Sequence, residues 1–235
     1  MAAIYFPDAP PAVAGSEDDE FADNSAGVPS GWTEIDHGST ATVTERDWGL
    51  EISRPTGGGD QLAGIYKAIP AGDFSITAKL GSFGPGATNY LVSAIALFEA
   101  PLTSTADIHI LTVWSSSAFA NRVLIERWAA YNSFSATLAA LITGEAGGAD
   151  PSTNFVRIRR NGTTYEFDAS TDGVCFQRGY TTAALGYVPT HFGLLFNNSN
   201  SGLTAAGTSC FFRYQASDVG LNAPALGQRI NIYPR

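Results

Sequence analysis

Residues 155–167 read F-V-R-I-R-R-N-G-T-T-Y-E-F, and this stretch decides the fold. Its Asn161-Gly162 pair predicts a two-residue type I′ turn, because both central residues of that turn need a positive φ. In the resulting register the apolar side chains of both strands share one face, as expected for a sheet with a core on one side. The predicted partners are Arg160 with Thr163, Ile158 with Tyr165, Arg157 with Glu166 and Val156 with Phe167.

Short β patterns separated by Gly, Pro, Asn and Asp continue along the chain, which is typical of an all-β sandwich or barrel. The segment 131–144 is the exception, and we expect a short helix or a long loop there. The strands are predicted at 32–36, 40–44, 48–53, 62–68, 73–80, 90–98, 108–114, 122–128, 156–160, 163–167, 174–177, 191–197, 210–215 and 229–233.

Composition narrows the class of protein. The chain has 235 residues, 44% of them hydrophobic and only 15% charged, with a net charge of −9. A chain of this size suits one β domain. The negative charge argues against nucleic acid and anionic membranes as partners. No apolar run reaches the roughly 18 residues of a membrane span.

Several ordered blocks resemble the concanavalin A-like lectin/glucanase superfamily. The resemblance covers about residues 17–216 and implies an all-β, antiparallel two-sheet sandwich of the jelly-roll type. This fold serves lectins, glycosidases, carbohydrate-binding modules and structural proteins, so it leaves activity open. The blocks are D-D-E-F at 18–21 with G-W-T at 31–33, G-I-Y-K at 64–67 with G-D-F-S-I-T at 72–77, V-R-I-R-R-N-G at 156–162 with S-x-D-G at 170–173, H-F-G-L at 191–194, and F-F-R-Y at 211–214.

The chain also resembles a tailed-phage virion protein in its low charge, its polar loops and its Pro-rich start. We divide it into an extended arm (1–16), the jelly-roll domain (17–216) and a tail (217–235) that packs on the domain or a neighbour. The arm is expected to dock to virion partners through Ile4, Tyr5 and Phe6, and the chain to form homo-oligomers such as trimers. Without a basic, apolar leader at its start, we expect location in the virion rather than secretion.

The sequence offers no catalytic set, metal site or cofactor motif. A retaining glycosidase needs two carboxyl groups about 5–5.5 Å apart, and no strand carries acids at the expected alternate spacing. The acidic run 17–20 is interpreted as a solvated turn, and Asp172 as a turn cap. His37, His109 and His191 lie at no metal-binding spacing and are interpreted as hydrogen-bonded strand residues. We therefore expect a protein that is not an enzyme.

Aromatic residues near polar loops are the candidates for glycan binding, because sugar rings stack on aromatic faces. The alternative for these residues is rim packing or a subunit contact. The remaining tryptophans (Trp32, Trp48 and Trp114) are predicted in the core, and Cys175 and Cys210 as buried free thiols, with a disulfide left open. The candidate glycan-binding residues are Trp128, Tyr131, Asn132, Tyr180 and Tyr187, with Phe134 beside the first three.

The predicted function is that of a non-enzymatic phage structural protein, in the tail, fibre, tip or head decoration. Its lectin-like domain is expected to dock to virion partners and to host-surface glycan. The alternative is a carbohydrate-binding module of a polysaccharide-processing system.

Overall fold

A computed structural model describes Asp19, Phe21 and residues 26–35, 41–47, 49–55, 60–83, 91–99, 107–115, 122–143, 154–198 and 205–216. Within these ranges every regular element is a strand. The strands are β1 (Thr33–Ile35), β2 (Thr42–Arg46), β3 (Gly49–Arg54), β4 (Ala63–Ala68), β5 (Phe74–Phe83), β6 (Leu91–Phe98), β7 (Ile108–Ser115), β8 (Arg122–Ala130), β9 (Ser133–Thr143), β10 (Asn154–Asn161), β11 (Thr164–Ser170), β12 (Gln177–Thr182), β13 (His191–Asn197) and β14 (Ala205–Ala216).

The strands form two antiparallel sheets of seven strands each. Sheet I has the order β1-β4-β13-β6-β7-β8-β9, and sheet II has the order β12-β11-β10-β5-β14-β3-β2. One apolar core contains side chains from both sheets, for example Ile95 and Leu111 of sheet I with Ile76 and Phe167 of sheet II. This arrangement confirms the predicted two-sheet sandwich with jelly-roll architecture.

The opening block of the chain is held by one carboxylate. Asp19 accepts hydrogen bonds from the Trp32 indole N–H and the Phe21 backbone N–H, both at 2.8 Å. The Phe21 and Trp32 rings lie 5.8 Å apart, and Trp32 makes an edge contact with Phe192 in the core. Trp32 is therefore a core residue, as predicted, and Asp19 has a structural role that the interpretation as a solvated turn missed.

The β10–β11 hairpin exists, but its predicted turn and register are wrong. Asn161 pairs with Thr164, so Gly162 and Thr163 form the turn. Among these residues only Gly162 has a positive φ, of 60°, as in a type II′ turn with glycine at its first central position. Each strand residue meets a partner two positions further along than predicted, and Ile158 lies opposite Phe167. A shift of two positions preserves the faces, so the apolar side still points into the core.

The other face of this hairpin carries a network of charges instead of the predicted Arg157–Glu166 pair. Asp168 is buried, and its Oδ2 lies 2.8 Å from the Arg157 guanidinium and 3.0 Å from that of Arg159. Glu166 lies 2.9 Å from Arg159 and 2.6 Å from Arg178. The network holds three neighbouring strands together, because its members lie on β10, β11 and β12.

Two further predictions of local structure are wrong. The segment expected to be a helix or loop at 131–144 is mainly the edge strand β9, whose side chains are mostly half-exposed or exposed. Its Ala and Leu residues favour helix, but pairing with β8 overrides that preference. The strand predicted at 174–177 is a bend, and β12 begins only at Gln177. The segments 229–233, 1–16 and 217–235 lie outside the described residues, as do Ile4, Tyr5, Phe6, His37 and Trp48.

The turn assignment gives a direct test. Gly162→Ala places a side chain at positive φ and should lower the free energy of unfolding by about 1 kcal/mol. Asn161→Ala should have little effect, because Asn161 has an ordinary negative φ. Urea denaturation of both variants checks this, and a larger loss in Asn161→Ala than in Gly162→Ala would restore the type I′ turn.

Candidate functional site

Sheet I is covered by apolar side chains on its outer face as well as on its core face. Every residue of β6 is buried. Its odd-numbered Ile95 and Leu97 belong to the main core, whereas Ala94, Ala96 and Phe98 belong to a second cluster with Trp128. Alternate strand residues point to opposite faces, so this second cluster forms an outer layer on sheet I. Its other members are Ile35, Leu62, Ile108, Ile110 and Leu195, with Tyr66 and Tyr131 packed against them.

A chain segment crosses this outer layer. The Leu62 N–H, just before β4, donates a 2.8 Å hydrogen bond to the Tyr131 carbonyl in the β8–β9 turn. In sheet I, β4 and β8 are separated by three strands, which corresponds to about 19 Å between their axes. The two segments therefore meet above the outer face. We call residues 60–62 the strap.

A pocket of about 190 Å³ lies beside the strap, and we call it the outer pocket. Asn197, Val92 and Trp114 are direct cross-strand partners on β13, β6 and β7, so they form one row across the sheet. The β8 residues Glu126 and Trp128 line the pocket together with that row. Phe134 from β9 and Asp60 from the strap complete the lining.

Glu126 is the most perturbed acid among the described residues. Its side chain is 0% exposed, and burial raises the pKa of its carboxyl from 4.5 to about 7. The nearby indoles of Trp128 and Trp114 oppose this rise, and the charge of Asp60 adds to it. Oε2 accepts a 3.1 Å hydrogen bond from the Trp128 indole N–H, while Oε1 has no partner in hydrogen-bonding geometry. Such a buried polar atom is rare in folded proteins and points to a role.

The strap side of the pocket is polar. Asn197 Nδ2 donates to Asp60 Oδ1 at 3.4 Å, and Asn197 Oδ1 accepts from the Gln61 N–H at 3.4 Å. The buried Arg54 donates to the same Asn197 oxygen and to the Gln61 carbonyl. These bonds fix the strap against β13, so Asp60 is held at the pocket's rim.

Three of the sequence-predicted candidates lie near the outer pocket. Trp128 lines it but is only 3% exposed. Tyr131 is half-buried against the outer layer, and Asn132 is exposed in the turn. Phe134 stands edge-on to Trp128 at 5.9 Å and is 48% exposed, so it is the exposed aromatic surface of the pocket.

The other two candidates lie elsewhere. Tyr180 is on the edge strand β12 and packs on Phe167. The Tyr187 hydroxyl donates to the Leu97 carbonyl at 2.6 Å and accepts from the His109 backbone N–H. Burial raises the pKa of Tyr187, since the charged phenolate is poorly solvated there. The structure therefore does not bring these two tyrosines together with the other three candidates.

Two predictions about core residues are wrong. Trp114 is half-buried on the outer face of sheet I, where it lines the pocket instead of the main core. Cys175 is a free thiol in an exposed bend, because the strand expected around it does not form. Cys210 lies on β14, and its side chain is outside the described set.

The interpretation of Asp172 as a turn cap is confirmed, as is that of His109 and His191 as hydrogen-bonded strand residues. Asp172 Oδ1 accepts from the Val174 and Cys175 backbone N–H groups at 2.9 and 2.8 Å, which lowers the pKa of its carboxyl to about 2. His109 and His191 lie on strands with ring nitrogens near the hydroxyls of Tyr187 and Thr190.

In the described ranges, no three His, Cys, Asp or Glu residues are grouped to hold a metal ion. Among the same residues, no helix is long and apolar enough to span a membrane.

Sequence reasoning missed Glu126, Asp60 and Asn197. A retaining pair needs two acids at alternate strand positions, and β8 carries a single glutamate in V-L-I-E-R-W. A signal was present, since Glu126 and Trp128 are two apart and so share one face of a strand. Asp60 and Asn197 belong to distant parts of the chain, and only the folded strap brings them together.

Comparisons with known proteins show the fold alone. No protein-family model and no curated protein sequence matches the chain. Among solved structures it is similar to the GH43 protein BlXynB of Bacillus licheniformis (TM-score 0.61, 19% identity), where the match covers 88% of this chain and 41% of that one. It is also similar to the carbohydrate recognition domain of Emp47p (0.55, 11%; 84% and 93% covered) and to the CBM2 module of the evolved Dit of Lactobacillus casei BL23 phage J-1 (0.52, 12%; 85% and 95% covered).

These likenesses support the fold class of the chain, a jelly-roll β-sandwich. The chain spans about two fifths of the GH43 protein but nearly the whole of the two binding domains. Identities of 11–19% support the architecture only, so the particular function rests on the chain's own residues.

The buried carboxyl predicts a pH-dependent stability. Because the folded-state pKa lies above the unfolded value, the folded protein binds more protons between about pH 4.5 and 7 and loses stability as the pH rises through that window. This rise in the pKa of Glu126 corresponds to a loss of about 3 kcal/mol in the free energy of unfolding once the pH is above both pKa values. Glu126→Gln should therefore be more stable than the wild type at pH 8, by up to that amount, and similar to it at pH 4.

Urea denaturation at several pH values measures this difference. The exposed Glu34→Gln is the matched control, and its difference from the wild type should stay small throughout. A stability gap between Glu126→Gln and the wild type that does not grow with pH would contradict the burial of a protonated carboxyl.

Proposed function

We propose that this chain is a non-enzymatic sugar-binding domain and that the outer pocket is its binding site. The single observation that carries the proposal is the composition of that pocket. An exposed aromatic ring, Phe134, stands beside buried polar groups that include an unpartnered Glu126 oxygen. Sugars present apolar C–H faces and many hydroxyls, so they are bound by an aromatic surface with a few fixed polar groups. The two similar binding domains support this proposal by analogy.

We further propose that the domain works in a bacteriophage particle, as a tail, fibre, tip or decoration component that attaches to host glycan. The low charge and Pro-rich arm of the sequence favour this setting. Likeness to a module of a phage Dit protein supports it without identifying the position in the particle. In this setting the arm, with Ile4, Tyr5 and Phe6, docks to virion partners or to further copies of the chain.

A second candidate is a carbohydrate-binding module in a polysaccharide-processing system. The observation in its favour is the similarity to part of a GH43 protein. Both candidates need the outer pocket to bind sugar, and they differ in the partner of the domain. The role of the arm distinguishes the two candidates, because only the phage proposal uses it for docking.

The binding site is tested with Phe134→Ala. Removing the exposed ring should weaken binding by about ten-fold or more, in line with about 1–3 kcal/mol for a lost aromatic stacking contact. Glycan-array screening identifies a ligand, and calorimetry measures its affinity. The same wild-type preparation should release no reducing sugar from that glycan.

Val174→Ala is the matched control, because Val174 is a 71% exposed apolar residue on a bend away from the pocket. Equal losses in both variants would remove the pocket from consideration. Turnover that disappears in Glu126→Gln would replace the binding proposal with a hydrolase.

The setting is tested by deleting residues 1–16. The phage proposal expects the full chain to form a symmetric oligomer in light scattering and the deleted chain to be lost from particles while still binding glycan. A monomeric full chain, together with normal incorporation of the deleted chain, would contradict the role of the arm.

A further inference from the structure

We propose that Glu126 acts in ligand recognition as a neutral carboxylic acid, so that the outer pocket binds uncharged sugar residues and releases them as the pH rises. This inference rests on the proposed function and adds the ligand class and a mode of regulation to it.

The two oxygens of Glu126 have different environments. Oε2 accepts the Trp128 indole hydrogen bond, so it acts as an acceptor. Oε1 is buried without a partner in hydrogen-bonding geometry. The Trp114 indole also acts on this carboxyl, but Oε1 meets no donor in hydrogen-bonding geometry, so we place the carboxyl proton on Oε1. Glu126 then adds a donor to the lining of the pocket. A sugar hydroxyl or ring oxygen is an acceptor of the right kind for that donor.

The surroundings disfavour a charged carboxylate at this position. Asp60 is the other acid of the lining and repels a negative charge on Glu126. The other lining residues carry no charge, and burial outweighs the indoles of Trp128 and Trp114, which favour the ionised form. Two arginines belong to the surroundings of the pocket: Arg54 is bonded to Asn197 and Gln61, and Arg122 is the cross-strand partner of Trp114, on the same face of β8 as Glu126.

A bound sugar strengthens this preference. By filling the pocket it removes the remaining water, which makes ionisation of Glu126 still less favourable. Binding and protonation are then coupled, and each promotes the other to the same extent. The described lining residues include two acids and no cation, so an acidic sugar is repelled where a neutral one is accepted.

Calorimetry across pH 5.5–8.5 tests the inference, with the methyl glycosides of glucose, galactose and xylose and with glucuronate as probes. With the pKa of Glu126 at about 7, affinity for a neutral probe should be about thirty-fold lower at pH 8.5 than at pH 5.5 if only the protonated form binds. Glucuronate should bind weakly at every pH.

Two variants make the test specific. Glu126→Gln keeps a neutral donor at the same place, so its affinity should be nearly independent of pH. Asp60→Asn removes the negative charge that raises the pKa of Glu126. The pH at which half of the binding is lost should therefore be lower in this variant than in the wild type.

The outcomes separate this inference from the proposed function. Wild-type binding that is equal at pH 5.5 and 8.5, or preference for glucuronate, overturns the neutral-acid role but leaves sugar binding intact. Loss of binding at all pH values in Glu126→Gln, with the variant folded, also overturns it. Failure of every probe at pH 5.5 overturns both.

Discussion

Burial of sheet I on both faces is the constraint on which the rest of the structure depends. A sandwich needs only its inner faces to be dry, yet Ala94, Ala96 and Phe98 extend apolar packing to the outer face as well. This second layer requires a cover, which the strap and the β8–β9 turn provide through the Leu62–Tyr131 hydrogen bond. The outer pocket lies at the edge of this cover, where Asp60 of the strap and Phe134 of β9 line it.

The same constraint explains the chemistry of the pocket. Glu126 lies between Leu124 and Trp128 on its face of β8 and beside Ile110 of β7, all three of them buried, so its carboxyl loses the solvation that an ordinary surface acid has. A charged group there is costly, and a neutral acid with one satisfied oxygen costs much less. Phe134 remains exposed because β9 is the edge strand of sheet I among the strands that the structure describes. A buried carboxyl and an open aromatic ring thus lie together near one edge of sheet I.

In the β10–β11 hairpin the sequence pattern predicts the face of each side chain but not the register of the strands. Alternation placed Val156, Ile158, Tyr165 and Phe167 on the core face, and a register error of two positions left that result unchanged, since side chains repeat every two residues. Charge pairing depends on the register itself, so the predicted Arg157–Glu166 pair failed. β9 failed for another reason: a half-exposed edge strand rich in Ala and Leu has no clear two-residue pattern, and only its partner β8 determines its conformation.

The site was less predictable than the fold because it is made of contacts distant in sequence. Trp128 was predicted from its residue type, whereas Glu126 was missed, because a single glutamate in a strand gives no sign of the outer layer that buries it. Asp60 and Asn197 are separated by 137 positions and meet only because the strap lies on β13. The alternation of apolar and polar residues predicts that each strand has one face in the core and one face in solvent. Sheet I breaks that assumption, and its outer pocket lies on the face that the pattern assigns to water.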